Sequence, residues 1–343
     1  MTIVLWIILM LSIAAVTAVG VGLLRTWTLK CGILDHPNER SSHEVPTPRG
    51  GGLVIAVVAL SSLAAAAWWS GLPIPYAYVI GAGLIVLISW ADDILSLSFL
   101  IRLCVHFLAA AIVVWASIDL YQISSGSIRD LLLIAAAIIW IVWMTNAFNF
   151  MDGIDGIAGL QGLVAGFGWF VVGYTAGNLL LSVIGAAILA ACAGFLVWNW
   201  SPAKIFMGDA GSAFLGFTFA SIPFVFVHQN TPSRLGLIAV GAAFVWPFVF
   251  DSVFTLFRRL IRGDKVWRAH REHLYQHLVI SGWSHPRAAL LYGAAAVVSG
   301  GVGLVFGAGD LTGVLAITIA AAATAFGILA ATALSVRRSK DVQ

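Results

Sequence analysis

The feature that most constrains this chain is a succession of long apolar runs separated by short polar segments. A helix needs about 20 apolar residues to cross the hydrocarbon core of a bilayer. Of the 343 residues, 61% are hydrophobic and 10% are charged, and the mean hydropathy is +0.99, which leaves too little polar surface for a soluble domain. Eleven runs have the required character, at 3–24, 51–70, 76–90, 101–117, 131–145, 157–175, 178–199, 212–227, 235–257, 288–307 and 312–334.

These runs predict an all-α, polytopic integral membrane protein with about eleven transmembrane helices and no sizeable soluble domain. The first run has neither a basic leader nor a small-residue cleavage site, so we interpret it as a retained helix and not as a signal peptide. Cys31, Cys104 and Cys192 are scattered and odd in number, which indicates neither a disulfide framework nor a CxxC metal site.

The basic residues divide unevenly between the segments that connect the runs. Sixteen of the 18 lysines and arginines fall on one side of the predicted topology, and only Arg129 and Arg234 fall on the other. Because cytoplasmic loops carry the excess of basic residues, the amino terminus is predicted outside and the carboxy terminus in the cytoplasm. Five segments then face the cytoplasm, namely 25–50, 91–100, 146–156, 200–211 and 258–287.

Carboxylates stand at the predicted cytoplasmic ends of several runs. Asp92 and Asp93 are adjacent and repel each other unless a cation or a shared proton relieves them, although a solvated pair ending a helix is the alternative. In FMGDAGS, small residues expose backbone N–H groups that suit a phosphate, and Asp209 is a suitable Mg²⁺ ligand or, alternatively, a simple helix cap. Asp251, by contrast, is expected to form a local ion pair with the arginines that follow it.

The segment NAFNFMDGIDG places polar side chains every three residues. Asn146, Asn149, Asp152 and Asp155 follow one slowly rotating stripe on a helical or tighter turn. The glycine after each aspartate allows a ligand to approach the backbone, while the amides and carboxylates supply hydrogen bonds. An ordinary capping and turn motif is the alternative interpretation.

Two basic segments complete the predicted cytoplasmic face. The proline- and glycine-rich loop DHPNERSSHEVPTPRGGG carries Arg40, His43 and Arg49, which suit a phosphate group. The segment RGDKVWRAHREHLYQHL carries His270 and His273, but HREH lacks the order and spacing of the HExxH zinc motif. We therefore favour contact with a phosphate or sugar, with polar filler as the alternative.

The position of the acids separates an enzyme from a transporter. Transporters place coupling carboxylates near the bilayer midplane, often within internal repeats, whereas these acids lie at one membrane face and no repeat is found. A purely structural scaffold would not need NFMDGIDG. The sequence thus predicts an enzyme that is reached by a soluble substrate from the cytoplasm and by a lipid substrate from between the helices.

Six motifs together resemble a known superfamily. They are DHPNERSSHEVPTPRGG, ADDILSL, NAFNFMDGIDG, FMGDAGSAFLG, PFVFDSVFTLFRR and RAHREHLYQHL, in that order between about residues 35 and 278. This series resembles the polyprenyl-phosphate N-acetylhexosamine-1-phosphate transferases, which include MraY, WecA and TagO. The HREHLYQ form and the overall length are most similar to the WbpL branch, which starts O-antigen chains.

The resemblance implies roles for individual positions. Asp92 and Asp93 match the family's adjacent catalytic aspartates, and Asp209 matches its Mg²⁺ ligand. The remaining matches imply substrate binding by Asn149, Asp152, Asp155, His270, His273, Arg40, His43 and Arg49. Glu272 stands where the resemblance implies a further histidine, and Arg49 stands where MraY-like sequences use another residue.

The implied reaction is transfer of N-acetylhexosamine 1-phosphate from a UDP-sugar to undecaprenyl phosphate with release of UMP. Residues 1–343 would form a single transmembrane catalytic domain in the bacterial inner membrane, with Mg²⁺ as cofactor and Mn²⁺ as a substitute. The expected partners are the two substrates, membrane lipids and a second copy in a homodimer, but no nucleic acid. The alternatives are a WecA-like enzyme restricted to UDP-N-acetylglucosamine and, outside the enzymes, a polytopic lipid transporter.

Overall fold

The computed structural model shows a fold built almost entirely from α-helices. The structure describes residues 2–37, 45–118, 127–226, 234–265, 270–307 and 309–341. Within these ranges the helices are α1 (Ile3–Cys31), α2 (Gly52–Ser70), α3 (Tyr76–Leu95), α4 (Phe99–Ala116), α5 (Ile128–Phe150), α6 (Ile157–Thr175), α7 (Leu179–Asn199), α8 (Asp209–Val225), α9 (Arg234–Phe244), α10 (Trp246–Ile261), α11 (Leu274–Ile280), α12 (His285–Phe306) and α13 (Leu311–Asp341).

Nine of the described helices are long and apolar enough to cross a membrane. In addition, α9 and α10 form a pair bent by 82°, and α8 is an apolar helix of 17 residues. The short apolar runs at 76–90 and 131–145 belong to longer helices, because the polar residues that flank each run are also helical. The prediction of an all-α polytopic membrane protein is confirmed, whereas the number of spans and the sides of the termini stay predictions.

Two helices form the centre of the bundle. Helix α7 packs against α1, α2 and α6, while α8 packs against α2, α3 and α5. Every side chain of α8 from Ala210 to Phe224 is buried. Many of these residues are glycine, alanine or serine, which let neighbouring helices approach closely in the absence of a hydrophobic driving force within lipid. Asp209 is therefore the first residue of a helix that is buried along almost its whole length.

The outer helices expose many large apolar side chains among the described residues, as expected of surfaces that face lipid. On α1, for example, Leu11 is 66% exposed and Leu23 is 68% exposed. The same helix also exposes Ile8, Val16 and Val19, and soluble proteins rarely expose apolar patches of this extent. This distribution supports the assignment of the chain as a multi-pass membrane protein.

A short β-ribbon, which the sequence patterns did not predict, brings two distant loops together. Strand β1 (Leu34–Asp35) pairs antiparallel with β2 (Thr47–Pro48), and Leu34 lies opposite Pro48. Beyond the ribbon, the N–H of Phe206 donates to the carbonyl of Pro48 over 2.8 Å. The N–H of Gly52 donates to the carbonyl of Met207, also over 2.8 Å. These bonds place Arg49 beside the loop that leads into α8.

Candidate active site

Two of the predicted carboxylates contact the same arginine, which lies on a third helix. Asp92 lies in the last turn of α3, Asp209 is the first residue of α8, and Arg102 lies one turn into α4. The Nη1 atom of Arg102 is 2.5 Å from Oδ2 of Asp92 and 3.0 Å from Oδ2 of Asp209. The other oxygen of Asp92 accepts the N–H of Leu97 over 2.6 Å. Arg102 thus holds together two acids that are more than 100 residues apart in the chain.

Asp93 caps the central helix from outside. Its carboxylate accepts the backbone N–H groups of Asp209, at 3.2 Å, and of Ala210, at 3.4 Å, which satisfies donors that the first turn of a helix leaves unpaired. Asp93 is 2% exposed, and the guanidinium of Arg49 donates to its backbone carbonyl. At Gly208 the φ of 75° and the closeness of Asp93 both favour glycine, since a Cβ atom there would lie 2.8 Å from the carboxylate.

The predicted polar stripe divides at the end of α5. Asn146 and Asn149 are helical, but α5 ends at Phe150, and the two aspartates that follow lie in an irregular turn. Asn149 hydrogen-bonds the carboxylate of Asp209, whereas the amide nitrogen of Asn146 lies 3.2 Å from Nδ1 of His106 on α4. Only one of the two asparagines, Asn149, therefore reaches Asp209.

Asp152 lies close enough to Asp93 and Asp209 to interact with their negative charges. Burial raises its pKa well above the usual value, and the negative charges of Asp209, Asp93 and Asp155 raise it further. Both effects disfavour the ionised carboxylate of Asp152, which is therefore stable only beside a compensating cation or in its protonated form. The group formed by Asp92, Asp93, Asp152 and Asp209 with Arg49 and Arg102 is called the acidic centre below.

Asp155 lies at the margin of this group and has partners of its own. Its carboxylate is 3.3 Å from Nδ1 of His285, at the start of α12, and accepts the N–H of Ala203 over 3.2 Å. Although burial alone would raise the pKa of Asp155, the hydrogen bond and charge of His285 lower it. Asp155 is therefore held as an anion and links α12 to the loop before α8.

A second polar group surrounds Asp251, which is completely buried on α10. The expectation of a local ion pair with Arg258 and Arg259 was wrong, because Asp251 contacts residues of the segment 270–277, called the histidine segment below. Its two carboxylate oxygens accept five hydrogen bonds, from the side chains of Thr255, His273 and Tyr292 and from the backbone N–H groups of Leu274 and Tyr275. Asp251 therefore fixes the start of α11 and one face of His273.

The arginines after Asp251 converge on Glu272. Its carboxylate is 3.6 Å from Arg258 and 3.7 Å from Arg259, and it also accepts a hydrogen bond from Arg262. Burial on its own would raise the pKa of Glu272, but the hydrogen bond from Arg262 and the three positive charges lower it. Glu272 is thus an anion that pairs with all three arginines at the end of α10.

Tyr275 connects the second group to the acidic centre. Its hydroxyl donates to the carbonyl of Phe150 over 3.1 Å, at the start of the turn that carries Asp152. The same hydroxyl occupies the space that a Cβ atom at Gly153 would need. Gly153 is therefore required for close approach of α11, a role that the sequence pattern alone attributed to ligand access.

The structure brings most of the predicted site residues together, but not all. Asp92, Asp93, Asp209, Asn149 and Asp152 converge, and Arg49 joins them. His273 is buried against Asp251, and the His270 ring lies beside it with ring centroids 5.0 Å apart. Two further predicted residues, Arg40 and His43, lie outside the described residues.

Arg102, His285 and Tyr275 are among the residues of these networks that sequence reasoning missed. For Arg102, a signal was available in its position one turn beyond the capping residue Ser98, close to the paired aspartates. His285 and Tyr275 carry no comparable signal, because each contacts its partner across more than 120 residues. Roles in catalysis or binding for the predicted residues stay predictions.

The side chains of the acidic centre suit a hard divalent cation. Carboxylate and amide oxygens are the ligands that Mg²⁺ prefers, and here the carboxylates of Asp92, Asp93 and Asp209 pair with two guanidinium groups while Asp152 lies near enough to Asp93 and Asp209 to interact with their charges. In the described part of the chain, however, no three acidic, histidine or cysteine side chains converge on a single point. Asp92 and Asp209 converge on Arg102 instead. The donor chemistry fits Mg²⁺, with Arg102 supplying positive charge between these two acids.

Comparison with known proteins agrees with this arrangement. The profile of glycosyl transferase family 4 matches residues 76–227, which include the aspartates of the acidic centre. A probable undecaprenyl-phosphate N-acetylglucosaminyl 1-phosphate transferase from Bacillus subtilis strain 168 is 25% identical over 83% of this chain and 79% of its own length. A decaprenyl-phosphate N-acetylglucosaminephosphotransferase from Mycolicibacterium smegmatis is 29% identical over 82% of this chain and 77% of its own length.

A phospho-N-acetylmuramoyl-pentapeptide-transferase from Beutenbergia cavernae is 34% identical over 37% of this chain and 33% of its own length. The similar proteins therefore include transferases whose names give different sugars. Assignment to the WbpL branch stays a prediction. Because the family match covers α3 to α8 and the relatives are transferases of one superfamily, the predicted resemblance is confirmed. The chain is similar to glycosyl transferase family 4 over residues 76–227 and to transferases of the MraY, WecA and TagO superfamily over most of its length, and it is a phosphoglycosyltransferase.

Proposed function

We propose that this enzyme transfers N-acetylhexosamine 1-phosphate from a UDP-sugar to undecaprenyl phosphate, giving an undecaprenyl-diphosphate-sugar and UMP. The observation that carries the proposal is the acidic centre, in which carboxylates from α3, the α5–α6 turn and α8 meet beside Arg49 and Arg102. The names of the relatives, which combine a polyprenyl phosphate with an N-acetylglucosamine phosphate transfer, support both substrate classes.

The proposed chemistry brings two anions together. A phosphate oxygen of the lipid forms a bond to the phosphorus that carries the sugar, and the bond from that phosphorus to the bridging oxygen breaks. UMP leaves with the electron pair. Arg49 supplies positive charge beside Asp93, and Asn149 hydrogen-bonds Asp209. Bound Mg²⁺, held by Asp209 with Asp92 or Asp93, would neutralise the negative charge that accumulates between the reacting phosphates.

Direct attack by the lipid phosphate agrees better with this geometry than a covalent aspartyl-phosphate does. Asp93 is buried and accepts two N–H groups at the start of α8, so its oxygens are poorly placed to attack a substrate. Asp92 is held by Arg102 and by the N–H of Leu97. Both carboxylates are thus engaged in holding the centre together.

The test of the proposed function is UMP release by the purified protein. Undecaprenyl phosphate, Mg²⁺ and a panel of UDP-N-acetylhexosamines are supplied, and UMP is measured by chromatography. We expect release that requires the lipid phosphate and that is lost in Asp92→Asn. Failure to release UMP with every sugar would contradict the proposal and would favour the alternative of a polytopic lipid transporter.

The sugar and the pathway belong to the same proposal. We favour a UDP-N-acetylhexosamine used in the first membrane step of O-antigen or related surface polysaccharide synthesis, on the resemblance to the WbpL branch. The alternative is a WecA-like enzyme restricted to UDP-N-acetylglucosamine, which agrees with the names of the first two relatives. The UDP-sugar panel separates the two. A homodimer stays a prediction.

Sugar preference is expected to depend on Glu272. Glu272→His removes the anion that gathers Arg258, Arg259 and Arg262, so the histidine segment should take up a different arrangement. We expect the ratio of kcat/KM values among UDP-sugars to change by roughly tenfold. Asp264→Asn, which removes another partner of Arg262, is the matched control and should leave that ratio unchanged. An unaltered preference in Glu272→His, with normal protein yield, would place sugar selection elsewhere.

His270 is expected to act as a neutral side chain. Burial lowers its pKa to about 4, and the positive charges of His273 and Arg259 act in the same direction. The imidazole is then uncharged at neutral pH, and this neutral form is lost only as the pH falls towards about 4. His270→Gln should therefore lower kcat/KM without moving the acidic limb of its pH profile between roughly pH 5.5 and 8. A shifted limb would show that His270 titrates in this range.

We further propose that the acidic centre faces the cytoplasm of the bacterial inner membrane, with the amino terminus outside. Cysteine labelling tests this orientation. Cys31 and Cys104 are exposed and are first replaced by serine, whereas Cys192 is buried and can remain. Lys265→Cys should react with an impermeant maleimide only in inverted vesicles, and Ser70→Cys only in intact spheroplasts. The reverse pattern would place the acidic centre outside the cytoplasm.

A further inference from the structure

The position of Arg102 between two carboxylates carries an inference about cation binding. Its Nη1 atom lies within 3.0 Å of both Asp92 and Asp209, two acids that come from different helices and that the proposed function assigns to metal binding. A divalent cation would bind the same oxygen atoms at about 2.1 Å. A guanidinium nitrogen and a cation cannot both occupy this position, because their charges repel and their volumes overlap.

The hold of Arg102 on the two acids is incomplete. One nitrogen bridges both carboxylates, so neither acid forms the two parallel hydrogen bonds of a bidentate pair. The buried Nε atom of Arg102 makes no hydrogen bond to any of the described residues. The Arg102 side chain is 28% exposed, and its long stem allows the guanidinium to move without displacing α4. These features indicate that the guanidinium group of Arg102 can be displaced from the two carboxylates.

We infer that Arg102 is a built-in competitor of the divalent cation, which keeps Asp92 and Asp209 together before the metal binds and is displaced when it does. This inference rests on the proposed function, since it assigns the metal to the same carboxylates. In this role Arg102 is a positioning residue that lowers the affinity of the site for the metal. An arginine that merely supported the site would have the opposite effect when removed.

The experiment measures metal binding without substrates. Purified protein in detergent is titrated with Mn²⁺, and the free ion is followed by electron paramagnetic resonance. Arg102→Gln should bind Mn²⁺ about tenfold more tightly than the wild type, because one positive charge beside the ion is removed. Arg102→Lys keeps that charge and should stay near the wild-type affinity. Arg287→Gln is the matched control, since Arg287 stacks on Trp283 with its guanidinium carbon 4.4 Å from the ring centroid.

A double variant identifies the site that is measured. In Arg102→Gln with Asp209→Asn, the gain in affinity should disappear, because the carboxylate released by the first change is removed by the second. Equal or weaker Mn²⁺ binding by Arg102→Gln alone would overturn the inference. Complete absence of Mn²⁺ binding by the wild-type protein would overturn it as well, together with the proposed cofactor.

A measurement on the wild-type protein covers the case in which Arg102→Gln does not fold. Phenylglyoxal modifies free guanidinium groups, and the modified peptides are quantified by mass spectrometry. Saturating Mg²⁺ should raise the modification rate of Arg102 at least about twofold relative to Arg287, as the guanidinium leaves the carboxylates. An unchanged rate would contradict displacement. Neither experiment depends on UMP release, so a failure of the proposed transferase reaction is seen separately.

Discussion

Removal of divalent cations with EDTA is expected to abolish UMP release, and Mg²⁺ or Mn²⁺ is expected to restore it. The physical reason is the balance of charge at the acidic centre, where the carboxylates of Asp92, Asp93 and Asp209 outnumber two guanidinium groups before two anionic substrates arrive. A diphosphate and a lipid phosphate cannot approach each other there unless further positive charge is present. Full activity in the presence of the chelator would contradict the metal assignment.

The corresponding substitution is Asp209→Asn, which keeps the shape of the side chain and removes the charge that would hold the ion. We expect kcat to fall by about a thousandfold, with the protein still eluting as a single species. Asp310→Asn is the matched control, because Asp310 accepts the N–H of Gly313 over 2.8 Å at the start of α13 and lies outside both polar groups. Similar losses in the two variants would indicate a general effect on folding.

The distribution of apolar residues was sufficient to predict the class of fold. Each of the eleven apolar runs corresponds to one of the described helices or to the bent pair α9 and α10. The bend itself was not predicted, since the run at 235–257 has no interruption in hydropathy at the residue where the two helices meet. Hydropathy reports which residues avoid water, but it does not report where the backbone turns within an apolar environment.

The candidate site was predictable only in part, because motifs identify chemistry but not neighbours. The grouping of Asp92, Asp93 and Asp209 was expected from their place at one membrane face, and the structure brings them together. The bridging role of Arg102 and the pairing of Asp155 with His285 depend on which helices lie side by side. That order is decided by side-chain packing along whole helices, which no local spacing records.

Asp251 shows the same limit most clearly. Its sequence neighbours suggested an ion pair within one helix, whereas its hydrogen-bond partners come from α10, α11, α12 and the segment that precedes α11. A buried carboxylate must satisfy both oxygens, and a helix amino terminus with unpaired N–H groups satisfies them better than a flexible arginine does. This requirement explains why Asp251 faces away from the basic end of its own helix.

Asp251→Asn is expected to destabilise the protein and to release the histidine segment. An amide in place of the carboxylate turns one acceptor into a donor. At the position of Oδ2 it would face the N–H of Tyr275 and the hydroxyl of Tyr292, and at the position of Oδ1 it would face the N–H of Leu274. Leaving such groups unpaired in a buried site costs about 3 kcal/mol. Because Tyr275 also holds the carbonyl of Phe150, the turn that carries Asp152 should loosen with α11.

Two measurements check this expectation. The aggregation temperature of the detergent-solubilised variant should fall, and trypsin should cleave more rapidly between α10 and α11, where Arg262, Lys265 and Arg271 lie. Ser252→Ala is the matched control, since Ser252 is also buried on α10 but its hydroxyl donates only to the carbonyl of Val249, over 3.0 Å, in its own helix. Unchanged cleavage in Asp251→Asn, at an unchanged aggregation temperature, would show that α11 is held by packing and not by the Asp251 carboxylate.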